Sequence, residues 1–216
     1  MQVFRFLNDR YGLEALRQRR IKVSRINELN DPFELLAPSL SDRETRHGFT
    51  KLKNNLARTR GLLCFSKDWT NPVLWSHYAD SHRGLCLGFS FAHEVIHVRY
   101  RRKRLRIKIP SLLSDPEKER IVMECLSTKF IHWQYEKEVR AFVNLAERDS
   151  NTGHYFFDFC ESMTITHVIV GARSNLTRHE VRDALAEQSD SVRYFKARPA
   201  FKAFKLVPNR NGALWR

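Results

Sequence analysis

No run of eighteen apolar residues occurs in the 216-residue chain, which argues against a membrane-spanning helix of ordinary length. Cysteine is sparse: Cys64, Cys86, Cys125 and Cys160 form no CxxC pair, so neither a zinc ribbon nor a dithiol redox site is indicated. Three of the four lie in apolar runs, and all four are expected as small core residues. With 8 Gly, 7 Pro, no repeat and no tract rich in Gly, Pro or Ser, nothing marks a linker, which predicts one domain over residues 1–216. The opening MQVFRFLNDR has neither a charged leader nor an apolar core of signal-peptide length. A cytoplasmic address with no membrane partner is therefore the expectation.

Acidic residues are also in deficit, 24 Asp and Glu against 38 Lys and Arg, leaving a formal charge of +14. A field of that sign concentrates polyanions, so nucleic acid is the expected partner. The densest cations lie in RYRRKRLRIK, and Arg99, Arg101, Arg102, Lys103, Arg104, Arg106 and Lys108 are the candidate nucleic-acid-binding residues. Alternation of Leu105, Ile107 and Ile109 with Arg104, Arg106 and Lys108 predicts a strand with one cationic face, in a basic hairpin and helix insertion at about 95–130. The plainer reading of the same stretch is an edge strand kept from aggregating by its charges.

Apolar residues make up 42% of the chain, 15 of them Phe, enough for a packed core. VFRFL reads as a strand, and Asn8 or Asp9 caps a following helix with Leu13 and Leu16 inward. KVSRI returns as a strand and ends at Asn30-Asp31-Pro32. Helices are expected from Asp42 to Arg58, over VLWSHYAD, from Asp115 to about Thr128, and from the capping box Thr177 to Glu180. GLLCFS, GLCLGFS, VRAFVNL, HYFFDF, ITHVIVG, VRYFK and FKAFKLV read as strands. The class is α+β, a single domain with a mainly antiparallel sheet flanked by helices.

Three constellations could carry chemistry. His93-Glu94-Val95-Ile96-His97 matches HExxH, but it runs into a strand-like alternation that would hold the two histidines about 13 Å apart, too far to share a metal. No metal site is expected from it. In Tyr135-Glu136-Lys137-Glu138-Val139-Arg140, alternation puts Glu136, Glu138 and Arg140 on one strand face, the carboxylates about 7 Å apart. They could act on different atoms of one substrate, or form a charged solvent face with Glu138 paired to Arg140 or Lys137. The third lies between two strands, where a connection is ordinarily small and polar but here carries Trp75, His77, Tyr78 and His82 after Ser66. These either bury their aromatics in the core or stack a flat base and hydrogen-bond a ribose.

NDPFE (30–34), CFS (64–66), LWSHYADSHRGLCLGF (74–89) and WQYEKEVR (133–140) together resemble the bacterial family of unknown function numbered twenty-nine seventy-one, over roughly Val3 to Val143. A more distant resemblance is to the mono- and poly-ADP-ribosyltransferases. Those show a basic residue on the first strand, a strand ending in an aromatic and a small hydroxyl residue, a helix with a tyrosine, and a Glu opening a further strand. Arg5, Ser66, Tyr78 and Glu138 fall in that order, and EKE is similar to the ExE signature of one branch.

That resemblance implies a split sheet and NAD as substrate. Glu138 would stabilise the oxocarbenium-like state, Glu136 would orient or deprotonate the acceptor, Arg5 would contact the diphosphate or ribose, Ser66 would hold the pocket wall, and Tyr78 would stack on nicotinamide. Asn30, Trp75, His77 and His82 complete the expected cofactor-binding set. A toxin or defence effector acting on nucleic acid or a target associated with it, with an antitoxin or defence-system partner, is the corresponding role. The alternatives are a non-enzymatic nucleic-acid-binding module on the same fold, and a nuclease or metallohydrolase.

Overall fold

The computed structural model describes the chain except residues 34–36, 40–41, 108–113 and 216. Strand β1 (Gln2–Leu7) leads into helix α1 (Asp9–Gln18), whose first turn is capped by the Asn8 side chain accepting from the Tyr11 N–H. Strand β2 (Arg20–Arg25) and a 3-10 turn (Ile26–Glu28) follow, then α2 (Arg43–Thr59) capped by Asp42, β3 (Arg60–Ser66), α3 (Pro72–Tyr78) and β4 (Leu85–Phe91). Proline at the start of α3 and Asn71 accepting from the Val73 N–H fix where that short helix begins.

Short strands β5 (Ile96–His97) and β6 (Arg99–Arg101) precede α4 (Asp115–Leu126), β7 (Thr128–Phe130) and a second 3-10 turn (Ile131–Glu136). The chain closes with β8 (Glu138–Asn144), β9 (Tyr155–Asp158), β10 (Met163–Val170), α5 (Arg178–Leu185), β11 (Arg193–Pro199) and β12 (Leu206–Pro208).

The class is mixed α+β with a mostly antiparallel sheet, ordered β12-β11-β10-β4-β1-β3-β2-β9, with β8 on β3 and β5 on β8. Only β10 with β11, and β6 with β7 in a separate pair, run parallel among the named strands. Because side chains alternate across a strand, Val3 joins the large core with Leu13, Phe89 and Val181, while its neighbour Phe4 joins a smaller core with Trp75, Cys86 and Ile169. Helices α1 and α5 therefore cover one face and α3 covers the other.

One gap in this sheet positions everything that follows. β3 pairs with β8 along its whole length, but meets β1 at one position, Phe4 with Ser66, and β2 at two, Ser24 with Leu62 and Arg25 with Gly61. The sheet is split over Leu63 to Phe65. Arg5 reaches into the split, donating to the Cys64 carbonyl at 3.1 Å and toward the Lys22 carbonyl at 3.4 Å. A guanidinium there supplies donors that an uninterrupted ladder would have supplied.

Three sequence expectations change. Among its described residues the cationic stretch forms no hairpin: β6 covers only Arg99–Arg101, pairs with β7, and the chain bends away at Arg102 and Lys103. Lys108 lies outside the described residues. FKAFKLV is a strand only at Leu206–Pro208; Phe201 and Phe204 are exposed. Of the cysteines, Cys86 and Cys125 are buried, Cys64 is half-buried, and Cys160 is exposed near the Cys160 to Met163 turn.

The turn into β4 is packed against the β1–α1 corner. A Cβ on Gly84 would stand 2.1 Å from the Leu7 carbonyl oxygen and 2.8 Å from the Asn8 Cα, both backbone. Gly84→Ala is expected to cost about 2–3 kcal/mol, the upper part of the usual overpacking range. Denaturant unfolding measures it, and an unchanged midpoint would show that this corner yields freely.

Candidate functional site

Lys137 adopts the left-handed conformation, φ 46°, at the end of the second 3-10 turn. It turns its own exposed side chain outward to Asp68, at 2.8 Å, while Glu136 and Glu138 on either side both point inward. Alternation along a continuous strand had placed the two carboxylates about 7 Å apart with solvent as one option. Instead both are buried and both are held by one ammonium: Lys129 on β7 donates to Glu136 Oε2 at 2.6 Å and to Glu138 Oε2 at 3.1 Å.

Glu138 is further gripped by Arg140, whose Nε meets Oε1 at 2.8 Å and whose second terminal nitrogen meets Oε2 at 3.0 Å. The first terminal nitrogen of Arg140 donates to the Leu126 carbonyl at 2.8 Å, tying β8 to the end of α4. The Glu138 backbone N–H donates to the Tyr100 hydroxyl at 2.8 Å. Glu136 is joined from the opposite side by Tyr78, whose hydroxyl donates to Oε1 at 2.5 Å and accepts from Asn30 Nδ2 at 2.9 Å. Ser66, at the end of β3, donates to the Glu136 carbonyl at 2.6 Å.

The two carboxyls are driven apart in proton affinity. Burial opposes the charge of Glu138, but Arg140 and then Lys129 outweigh it and hold the group at about 2. For Glu136 burial prevails over Lys129, the negative Glu138 adds to it, and its affinity rises above the ordinary carboxyl value. Burial and the Glu136 charge together push the Tyr78 phenol up, so it stays a donor. A fixed anion thus stands beside a carboxyl that takes up protons more readily, the separation of roles on which general acid–base chemistry depends.

These groups meet at the split. A cavity of about 260 Å³ is lined by Arg5, Ser66, Tyr78, Lys129, Glu136 and Glu138 among polar groups, with Asn30 at its edge and Phe4, Phe6 and Leu74 as apolar wall. Of the nine residues expected in the catalytic and cofactor-binding set, six therefore share one cavity: Arg5, Asn30, Ser66, Tyr78, Glu136 and Glu138.

The other three do not line it. Trp75 is fully buried against the sheet, its Nε1 donating to the Trp69 carbonyl at 2.7 Å, with Phe6 edge-on at 5.2 Å. Three residues on, Tyr78 is rotated about 60° around the helix and reaches the cavity. His77, about 200° from Trp75, lies on the exposed face and bonds the Tyr135 hydroxyl at 3.1 Å. His82 lies past the helix and stacks on Trp75 at 6.4 Å. Tyr78 itself has its hydroxyl committed to Glu136 and Asn30, and Arg5 has its donors committed to backbone carbonyls.

Sequence reasoning missed Lys129 and Tyr100; it offered Arg140 as a partner of Glu138 on a solvent face, whereas the pair is buried. Lys129 sits in a three-residue strand that pairs, among the described residues, with β6, and nothing local marks it. The HExxH stretch resolves into a bend and the two-residue β5, with His93 Nε2 on the Ser162 hydroxyl. Among the described residues no group of three His, Cys, Asp or Glu side chains could hold a metal ion. No described helix is long and apolar enough to cross a membrane.

Replacing Tyr78 by Phe leaves Glu136 Oε1 and Asn30 Nδ2 without this partner. The expected cost is about 1.5–3 kcal/mol, the range for a hydrogen bond to a charged group. The Glu136 affinity for protons should rise further, because the Tyr78 hydrogen bond lowers it. Carboxyl titration by isotope-resolved NMR reads the second effect; no movement of the Glu136 resonance would show that the hydroxyl does not govern it.

Compared with known proteins, the chain matches no family model, no curated protein and no solved structure, so the resemblance carried by NDPFE, CFS, LWSHYADSHRGLCLGF and WQYEKEVR rests on those residues alone.

Proposed function

We propose that the split-sheet cavity breaks the nicotinamide–ribose bond of NAD and transfers ADP-ribose to an acceptor, on a fold of the ADP-ribosyltransferase kind. The observation that carries this reading is the convergence of Arg5, Ser66, Tyr78, Glu136 and Glu138 on one cavity, with the two carboxyls held at different proton affinities. At about 260 Å³ the cavity is smaller than the ~300–1,000 Å³ of sites for drug-sized ligands, so it fits the nicotinamide-ribose end while the remainder of the dinucleotide lies outside.

The chemistry follows from the charges. When the C1′–N bond breaks, its electron pair goes to the nicotinamide nitrogen and positive charge develops on the ribose. Glu138, anionic across the physiological range, stabilises that charge, and the apolar wall from Phe4, Phe6 and Leu74 strengthens the effect by excluding water. An acceptor nucleophile then bonds to C1′ and gives its proton to Glu136.

Incubating the purified protein with NAD labelled in the adenosine half, with DNA, RNA or lysate, and following released nicotinamide by chromatography tests this. Transfer or hydrolysis that is lost on Glu138→Gln supports it; neither activity in any mixture removes it.

One observation favours the rival, a non-enzymatic nucleic-acid-binding module. Both Glu138 oxygens are engaged by Arg140 and Lys129, a pattern that structural ion clusters also show. NAD turnover separates the two readings, whereas salt-dependent polyanion binding is common to both.

A further inference from the structure

Lys129 lines two cavities. Besides the one at the split, it contributes to a second of about 280 Å³ whose wall carries Arg101, Arg102, Lys103 and Arg104 together with Phe33 and Phe130. Both rings are unusually open for their size, Phe33 57% and Phe130 45% exposed. Arg104 lies over the Phe33 ring at 5.2 Å, and His132 packs on Phe130 at 4.6 Å, so each ring is braced on one side and open on another. Arg101, Arg102 and Lys103 are exposed and have no carboxylate at ion-pair distance among the described residues.

Exposed aromatic faces beside unneutralised cations are what a single-stranded nucleic acid requires: the ring takes the face of an unstacked base, and the cations take phosphates. In a duplex the base faces are already stacked on one another, and a ring set in a cavity cannot reach them. Negative phosphopeptides would use the cations and leave the rings idle. The location matters as much as the composition. Phe130 follows Lys129 directly, and the Lys129 ammonium is 2.6 Å from Glu136 and 3.1 Å from Glu138.

We propose that this second cavity is the acceptor site, holding one base of a single-stranded polynucleotide on Phe130 with its phosphates on Arg101, Arg102 and Lys103. The word acceptor rests on the transferase reading above; the binding site does not. In the transfer, a base heteroatom bonds to ribose C1′ as the bond to nicotinamide breaks. Nicotinamide leaves with that electron pair, and the proton from the base passes to Glu136.

Strand binding is measured without NAD, by fluorescence anisotropy of labelled oligothymidylate, oligouridylate and a duplex of matched length. Single strands are expected to bind at least tenfold more tightly than the duplex. Phe130→Ala should weaken them about tenfold, within the range for loss of one stacked base. Arg102→Ala and Lys103→Ala should each lower the slope of log affinity against log salt by about 0.7. Circular dichroism melting establishes that the variants are folded. Photocrosslinking of a 5-iodouracil strand to the wild-type protein, mapped by mass spectrometry, should fall within 99–104 and 128–133.

Equal affinity for duplex and single strand, folded variants that bind as tightly as wild type, or crosslinks elsewhere would each overturn the proposal. NAD hydrolysis measured without any strand reads the other cavity independently. Turnover with no strand binding sinks the acceptor site alone, and strand binding at this cavity with no turnover keeps the binding site and sinks the transferase.

Discussion

Glu138→Gln is expected to lower NAD hydrolysis by about two to three orders of magnitude, the usual loss when a preorganised group facing developing charge is neutralised. The same change should also weaken the fold. Glu138 is 7% exposed and accepts from both Lys129 and Arg140, so a neutral amide leaves two buried cations facing the single carboxyl of Glu136. Removing one member of such a buried cluster costs about 3–5 kcal/mol. Rate must therefore be scaled to the folded fraction, measured by circular dichroism in the assay buffer.

Glu136→Gln provides the contrast. Because Glu136 has the raised affinity for protons, its loss should erase a limb of the pH–rate profile, while Glu138→Gln lowers the profile and keeps that limb, moved to lower pH because the negative Glu138 helps to raise Glu136. Turnover by folded Glu138→Gln at the wild-type rate would remove Glu138 from the chemistry.

How much of this was legible in the sequence differs element by element. Local signals held: Asn8 and the Thr177 to Glu180 box cap the helices they were expected to cap, the helix expected from Asp42 to Arg58 runs over Arg43–Thr59, and the short apolar runs form β1, β3, β4 and β10. Signals that depend on distant partners did not. The stretch that opens at Arg99 was expected to continue as a strand, yet its first three residues pair with β7, 29 positions away by register, and the ladder stops there.

The site shows the same division. The resemblance singled out Arg5, Ser66, Tyr78 and Glu138, and these lie on β1, β3, α3 and β8 around one cavity. Lys129 carried no such mark, since its importance comes from the two buried carboxylates it meets, Glu136 and Glu138. The choice between core and pocket for Trp75, His77 and His82 turns on helix rotation relative to the sheet, which periodicity over seven residues of α3 does not fix.

Arg140→Met should destabilise the fold about as much as Glu138→Gln. Arg140 is 1% exposed, and its loss strips Glu138 of two hydrogen bonds and the Leu126 carbonyl of one. At neutral pH the expected cost is about 3–5 kcal/mol, because Glu138 keeps its charge in a buried setting with Lys129 as its hydrogen-bonded cation and Arg5 farther off. Acid provides the diagnostic. In the wild-type protein Glu138 is depressed from 4.5 to about 2, so its stabilising contribution is complete above 4.5 and is lost as pH falls toward 2. Without Arg140, the strongest influence holding it down, Glu138 protonates at higher pH in the folded state and has less stability to lose. The difference in unfolding free energy between the two proteins should therefore narrow as pH is lowered from 4.5 toward 2. Urea unfolding across that range measures it. A difference that stays constant with pH would mean that Arg140 supports the fold through Leu126 and packing alone, and that the low affinity of Glu138 for protons comes from Lys129.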